Sequence, residues 1–147
     1  MGSKNEAVRG TVAGMIEDGI LDLQELAAEM RQWADNLEEN FSHTEKYQSV
    51  GDAADTLEDV EKVEVPAFLS ELNATAVLDT RKRPSRSTRR YNAVARLQAA
   101  LEAVARVEGC PQIHMTDDQR DELDQLMDSL HETIDAAESV EFPGMYG

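Results

Sequence analysis

The chain is poor in aromatics, nearly free of cysteine, short of cations and without a long apolar run, and each scarcity closes off a class of protein. Aromatics are 5% of its 147 residues, with Trp33 the lone tryptophan, so a core must be assembled from Leu, Val, Ile, Met and a great deal of Ala. Ala in that quantity favours closely packed helices over sheets. The single cysteine, Cys110, cannot close an internal disulfide, and nothing here asks for an oxidising compartment. No stretch approaches the ~18 apolar residues that a membrane span needs. The leading residues Met1-Gly2-Ser3-Lys4-Asn5-Glu6 carry neither an apolar leader core nor the Ser or Thr that a myristoylation signal puts sixth. A cytoplasmic chain, neither secreted nor anchored to a membrane, is the expectation.

Cations are outnumbered, 14 against 30 acids, for a formal charge of −16. Such a surface stays soluble and repels nucleic-acid phosphate at long range, which excludes a general DNA-binding face. The length suits one domain over residues 1–147, large enough for one modest core.

Along the chain, apolar positions recur at steps of three and four. Ile16, Leu23, Met30 and Leu37 form one seam, Val12, Leu26 and Trp33 a second, and Ile20, Ala27 and Ala34 widen the stripe. This heptad spacing predicts one long helix over 5–40, with a break near Asp18-Gly19 as the alternative. Gly10, Gly14 and Gly19 weaken its first half by about 1 kcal/mol each relative to Ala, tolerable where another backbone approaches closely. Ser42-His43-Thr44-Glu45 has capping-box form and predicts a second helix starting there and ending at Val65-Pro66. Pro66 then opens a short helix through Leu72. Residues 73–88 read as an irregular arm. A third helix spans about 87–108, with Gly109 to cap it and Pro111 to stop it, and a fourth starts at the capping box Thr116-Asp117-Asp118-Gln119. Its stripe is Leu123, Leu126, Met127, Leu130, Ile134 and Ala137, and a non-helical tail follows over 141–147. The expected fold is all-α, a bundle of about four amphipathic helices.

Texture adds a resemblance. Leu23-Gln24-Glu25-Leu26, Trp33-Ala34-Asp35-Asn36-Leu37, Ser42-His43-Thr44-Glu45-Lys46, Ala53-Ala54-Asp55-Thr56-Leu57-Glu58 and Arg89-Arg90-Tyr91-Asn92-Ala93-Val94-Ala95-Arg96-Leu97 together resemble small uncharacterised helical proteins encoded by bacteriophages. The resemblance covers about two thirds of the chain and implies a phage or prophage context, in the host cytoplasm or in a virion, without assigning a role to any residue.

Charge patterning carries the functional expectation. Arg81, Lys82, Arg83, Arg86, Arg89 and Arg90 place six of the 14 cations within ten positions that hold no acid, leaving 8 basic to 30 acidic residues elsewhere, or −22. Guanidinium forks suit phosphates, so any direct nucleic-acid contact would fall on this arm. Aromatics that would stack bases are missing there apart from Tyr91, and a solvated loop is the plain reading. The composition fits best a non-catalytic interaction or assembly protein, a phage virion or accessory component, whose arm docks on acidic surfaces of other proteins or of a second copy. Trp33, Phe142 and Tyr146 are the aromatic anchors if exposed. The alternative is an acidic DNA mimic that inhibits a nucleic-acid-binding protein of host defence. A third reading, a magnesium-dependent all-α nucleotide pyrophosphohydrolase, rests on Asp35/Glu38, Glu58/Glu61 and Glu132/Asp135.

Metal chemistry has thin support. Cys110 and His114, with Asp117 and Asp118 beyond, lack the second Cys/His pair that zinc requires. His131 follows Asp128 by three residues once only, where a di-iron bundle needs the pattern on two helices, and His43 belongs to a capping turn. No catalytic residue, metal or cofactor is expected.

Overall fold

A computed structural model describes residues 5–110 and 113–143. Pro111 and Tyr146, and the expectations placed on them, lie outside that set. In chain order the elements are strand β1 (Asn5–Thr11), helix α1 (Val12–Phe41), helix α2 (Glu45–Glu58), a single helical turn at Ala67–Leu69, strand β2 (Asn73–Asp79), helix α3 (Arg86–Glu108) and helix α4 (Asp117–Ser139). The four helices are those the periodicity predicts, but the fold is not strictly all-α. The strands pair antiparallel into a two-stranded sheet running from Asn5↔Asp79 to Thr11↔Asn73.

The sheet corrects two expectations at once. Residues 5–11 do not begin the long helix, because Thr11 is extended and its Oγ1 accepts the Gly14 N–H at 3.0 Å, which starts α1 at Val12. Residues 73–79 are not irregular either. Ala74, Ala76 and Leu78 alternate inward and are buried, whereas Asn73, Thr75 and Val77 face out. The irregular arm therefore shrinks to 80–85, and Arg86 joins Arg89 and Arg90 on the helix that follows.

Within α1 there is no break at Gly19. Its missing side chain is instead the condition for contact with α3, since a Cβ there would sit 3.1 Å from the Ala93 carbonyl oxygen and 3.1 Å from Leu97. Two short connections follow from capping. Ser42 keeps helical angles as the C-cap that follows α1, and Thr44 rather than Ser42 caps α2, its Oγ1 accepting from Tyr47 N–H at 3.1 Å and donating to Phe41 C=O at 2.7 Å. α2 ends at Glu58, well before Pro66. Beyond it Val60 is buried and Val63 and Val65 half-buried between exposed Glu61, Lys62 and Glu64, a near-alternation that suits extended chain laid along a surface. Thr116 caps α4 with the full reciprocal box through Gln119.

α1 runs antiparallel to both α2 and α3. α3 has α1, α4 and β2 all against it, while α2 and α4 touch only lightly. The core is aliphatic, with Ile16, Leu23, Leu26, Met30, Leu57, Leu97, Leu123 and Leu130 fully buried, and Ala27, Ala34, Ala53, Ala54, Ala93, Ala100, Ala103 and Ala137 letting the helices close on one another. Among the described residues no helix is long and apolar enough to cross a membrane.

Candidate functional site: the basic segment from β2 into α3

The six cations of the basic segment divide into three fates, set by which element carries each. Arg81 follows β2 directly and folds back onto Asp79, donating through Nε to Oδ1 at 3.0 Å and through Nη2 to Oδ2 at 2.7 Å, while its backbone N–H also reaches Oδ1 at 3.2 Å. These bonds hold the Asp79 carboxyl below the ordinary aspartate value and raise Arg81 above its own. The Asp79 backbone is fixed from the other side, its N–H donating to Asn92 Oδ1 and its C=O accepting from Asn92 Nδ2, each at 2.8 Å.

Arg86, Arg89 and Arg90 lie in the first turns of α3. Ser85 caps that helix by accepting the Thr88 N–H at 3.1 Å. Cations at a helix N-terminus oppose the helix dipole, and the chain offsets this with acceptors from elsewhere. Arg89 Nη2 reaches Glu29 Oε2 on α1 at 2.5 Å and Arg86 Nε reaches Glu29 Oε1 at 3.5 Å. The Glu29 carboxyl is held low, first by the Arg89 hydrogen bond, and Arg89 is raised in return. Arg86 also lies over the Trp33 ring, 5.0 Å from its centre, and Arg90 over Phe142 at 5.1 Å. Arg90 donates in addition to the Val140 carbonyl at the end of α4. About two turns further along, Arg96 meets Asp22 at 2.8 Å. Burial is the largest influence on Asp22 and pushes its carboxyl up against the opposing pull of Arg96.

Lys82 and Arg83 have the third fate. Both are exposed in the turn 80–85, and no ion pair to either is formed by the described residues. Four of the six predicted docking cations are thus spent within the molecule, and the remainder is a two-cation tip. Trp33 and Phe142 are half-buried beneath arginines of their own chain rather than free on the surface.

The acceptors Asp22 and Glu29 escaped the sequence reading, although a signal for them exists. They are seven residues apart on α1, as Arg89 and Arg96 are on α3, and antiparallel helices with matching heptad spacing can join such pairs twice. Asn92 carries no comparable signal, because its role depends on where β2 ends.

The acids are disposed differently. On α4 the carboxylates of Asp117, Asp118, Asp121, Glu122, Asp124, Asp128, Glu132, Asp135 and Glu138 are all exposed, with Arg120 the one Lys or Arg on the helix. None forms an ion pair with a described residue. Glu58 of the carboxylate pairs is engaged by Arg31, which also holds Asp55. Among the described residues no three His, Cys, Asp or Glu side chains gather where a metal could be held. Cys110 is half-buried and His114, His43 and His131 are exposed. Compared with known protein families, curated proteins and solved structures, the chain matches none.

Proposed function

We propose that the protein is a non-catalytic interaction component, of the kind found in phage virions or among phage accessory proteins, that docks on acidic protein surfaces through the tip of the 80–85 turn. One observation carries this reading: Lys82 and Arg83 are exposed without an ion pair among the described residues, on a chain of net charge −16 whose arginines nearby are held by Glu29, Asp79 and Asp22. A cationic tip rigidly mounted between a clamped strand end and a capped helix loses little entropy on docking and favours partners of opposite potential. Light scattering after size exclusion, with the host lysate as the source of partners, tests it. The association should weaken as salt rises and disappear in Lys82→Glu/Arg83→Glu. Retention of every associated protein by that variant would defeat the reading.

A second reading is favoured by α4 alone. Its nine exposed carboxylates, without a paired cation among the described residues, offer a rod of negative charge, which suits an acidic imitation of nucleic acid that occupies a DNA-binding groove. Competition separates the two: an inhibitor of this kind displaces DNA from its target protein, does so regardless of charge reversal at Lys82 and Arg83, and does not bind DNA itself.

A further inference from the structure

The phase of the β1–β2 ladder decides which backbone groups of β1 face outward. In an antiparallel pair, alternate opposed residues exchange two hydrogen bonds and those between exchange none. Two contacts fix the phase. Asp79 directs both its N–H and its C=O to Asn92, so Asn5↔Asp79 is a pair that exchanges none. One step past the opposite end of the ladder, Val12 N–H donates to Leu72 C=O at 2.8 Å, in phase with Glu6↔Leu78, Val8↔Ala76 and Gly10↔Ala74. The N–H and C=O groups of Asn5, Ala7 and Arg9, with the N–H of Thr11, therefore point away from β2. Asn5, Glu6, Ala7, Arg9 and Thr11 are exposed, and no described residue outside the strand pair hydrogen-bonds to these outward groups.

A row of open donors and acceptors is a template for another strand, and proteins that avoid such pairing blunt their edges with lysine, proline, a bulge or an inward charge. β1 carries neither proline nor lysine, its register with β2 is unbroken, and its one charge on the face of buried Leu78, Glu6, is exposed near the start of the strand rather than turned into the core. Charge then selects the occupant. Over most of its surface a chain of net −16 repels its own copy, but β1 holds one acid, Glu6, and one base, Arg9, and is neutral. We propose that β1 pairs edge to edge and antiparallel with β1 of a second copy, joining two two-stranded sheets into one of four strands. Pairing centred on Val8 engages all seven residues and sets Arg9 opposite Ala7 and Glu6 opposite Gly10 of the copy, so no like charges face each other. This contact uses different residues from the 80–85 tip and does not depend on that reading.

Salt separates the two. Edge pairing brings two acidic bodies together and strengthens as salt screens them, whereas docking by Lys82 and Arg83 weakens. The test is light scattering of the full chain over a range of concentration at low and high salt, with amide hydrogen exchange resolved by residue. A dimer favoured by salt is expected, in which the Ala7 and Arg9 amides gain protection only as dimer forms, while Glu6, Val8 and Gly10 are protected in monomer and dimer alike. Ala7→Pro removes one outward donor per copy, spares the ladder to β2, and should weaken dimerisation about tenfold; unchanged protection of Val8 and Gly10 checks that β1 remains folded. In Lys82→Glu/Arg83→Glu the dimer should persist. A monomer at every concentration in high salt, or a dimer in which Ala7 and Arg9 exchange at the monomer rate, would overturn the proposal.

Discussion

The seam between α1 and α3 and the outer face of α4 draw on the same stock of acidic residues and treat it in opposite ways. At the seam, Asp22 and Glu29 meet Arg96, Arg89 and Arg86, and the helices approach so closely that Gly19 has no room for a side chain. On α4, nine carboxylates stand in solvent with no ion pair to a described residue, and the helix is held chiefly by its apolar stripe, Leu123, Leu126, Leu130, Ile134 and Ala137. An acidic composition therefore does not make an evenly acidic molecule. Cations concentrated in one segment neutralise the surface that segment packs against and leave the remainder charged.

Truncation should break the seam most severely. Leu97 is fully buried against Gly19, and Leu97→Ala should cost about 2–5 kcal/mol in urea unfolding, near the upper end of that range because the rigid backbone of α1 cannot collapse into the space. Leu126→Ala on α4 should fall near the lower end, since α4 is free to settle toward α3 on one side.

Glycine substitution sharpens the contrast at smaller scale. Gly19→Ala gains about 1 kcal/mol of helix propensity, but it pushes a methyl group against the Ala93 carbonyl, which is backbone and cannot swing aside. Overpacking of about 1–3 kcal/mol should prevail and lower the melting temperature. Gly51→Ala on α2, where nothing lies within 4 Å of the added carbon, should stabilise by about 0.5–1 kcal/mol. A net gain at Gly19 would mean the seam is looser than described.

On α4, Asp128 stands four residues from both Asp124 and Glu132. Asp128→Lys converts two repulsive spacings into attractive ones and should add roughly 0.5–1 kcal/mol at low salt, a gain that vanishes at high salt. Reversal of Glu29 to Lys at the seam should act with the opposite sign.

The smallest effects concern pH. Glu29 is held below its ordinary 4.5 in the fold, so its contribution is present above that value and is lost as pH falls through the folded one. Asp22 is raised above 3.8, so it favours the fold in acid and loses that contribution as pH rises through its folded value. Acid unfolding followed by circular dichroism should therefore be shallower in Glu29→Gln and steeper in Asp22→Asn. Each change should stay under about 1 kcal/mol because these side chains keep substantial solvent contact.

Much of the fold was legible in local pattern. Seams spaced by three and four located all four helices, the Thr116 box fixed the start of α4, and Gly109 marked the end of α3. The misreadings have particular causes. Asn5–Thr11 carries only Ala7 and Val8 as apolar residues, too few for a period to show, and its strand conformation depends on a partner some 68 positions away. Asn73–Asp79 does alternate, but beside a run of arginines the alternation of two alanines and a leucine is faint. At the basic segment the cations themselves were plain, and their destinations were not, because a charge in sequence does not reveal the acid opposite it.

The sequence by itself determined the helical periods, the caps and the surplus of acid, since each arises from residues within one or two turns of one another. Only the tertiary structure decided which arginines are spent, which remain at the 80–85 tip, and that two distant segments close a sheet with an open edge. Those outcomes depend on groups brought together across the chain, where the free energy of a contact belongs to a pair and no single stretch contains both members.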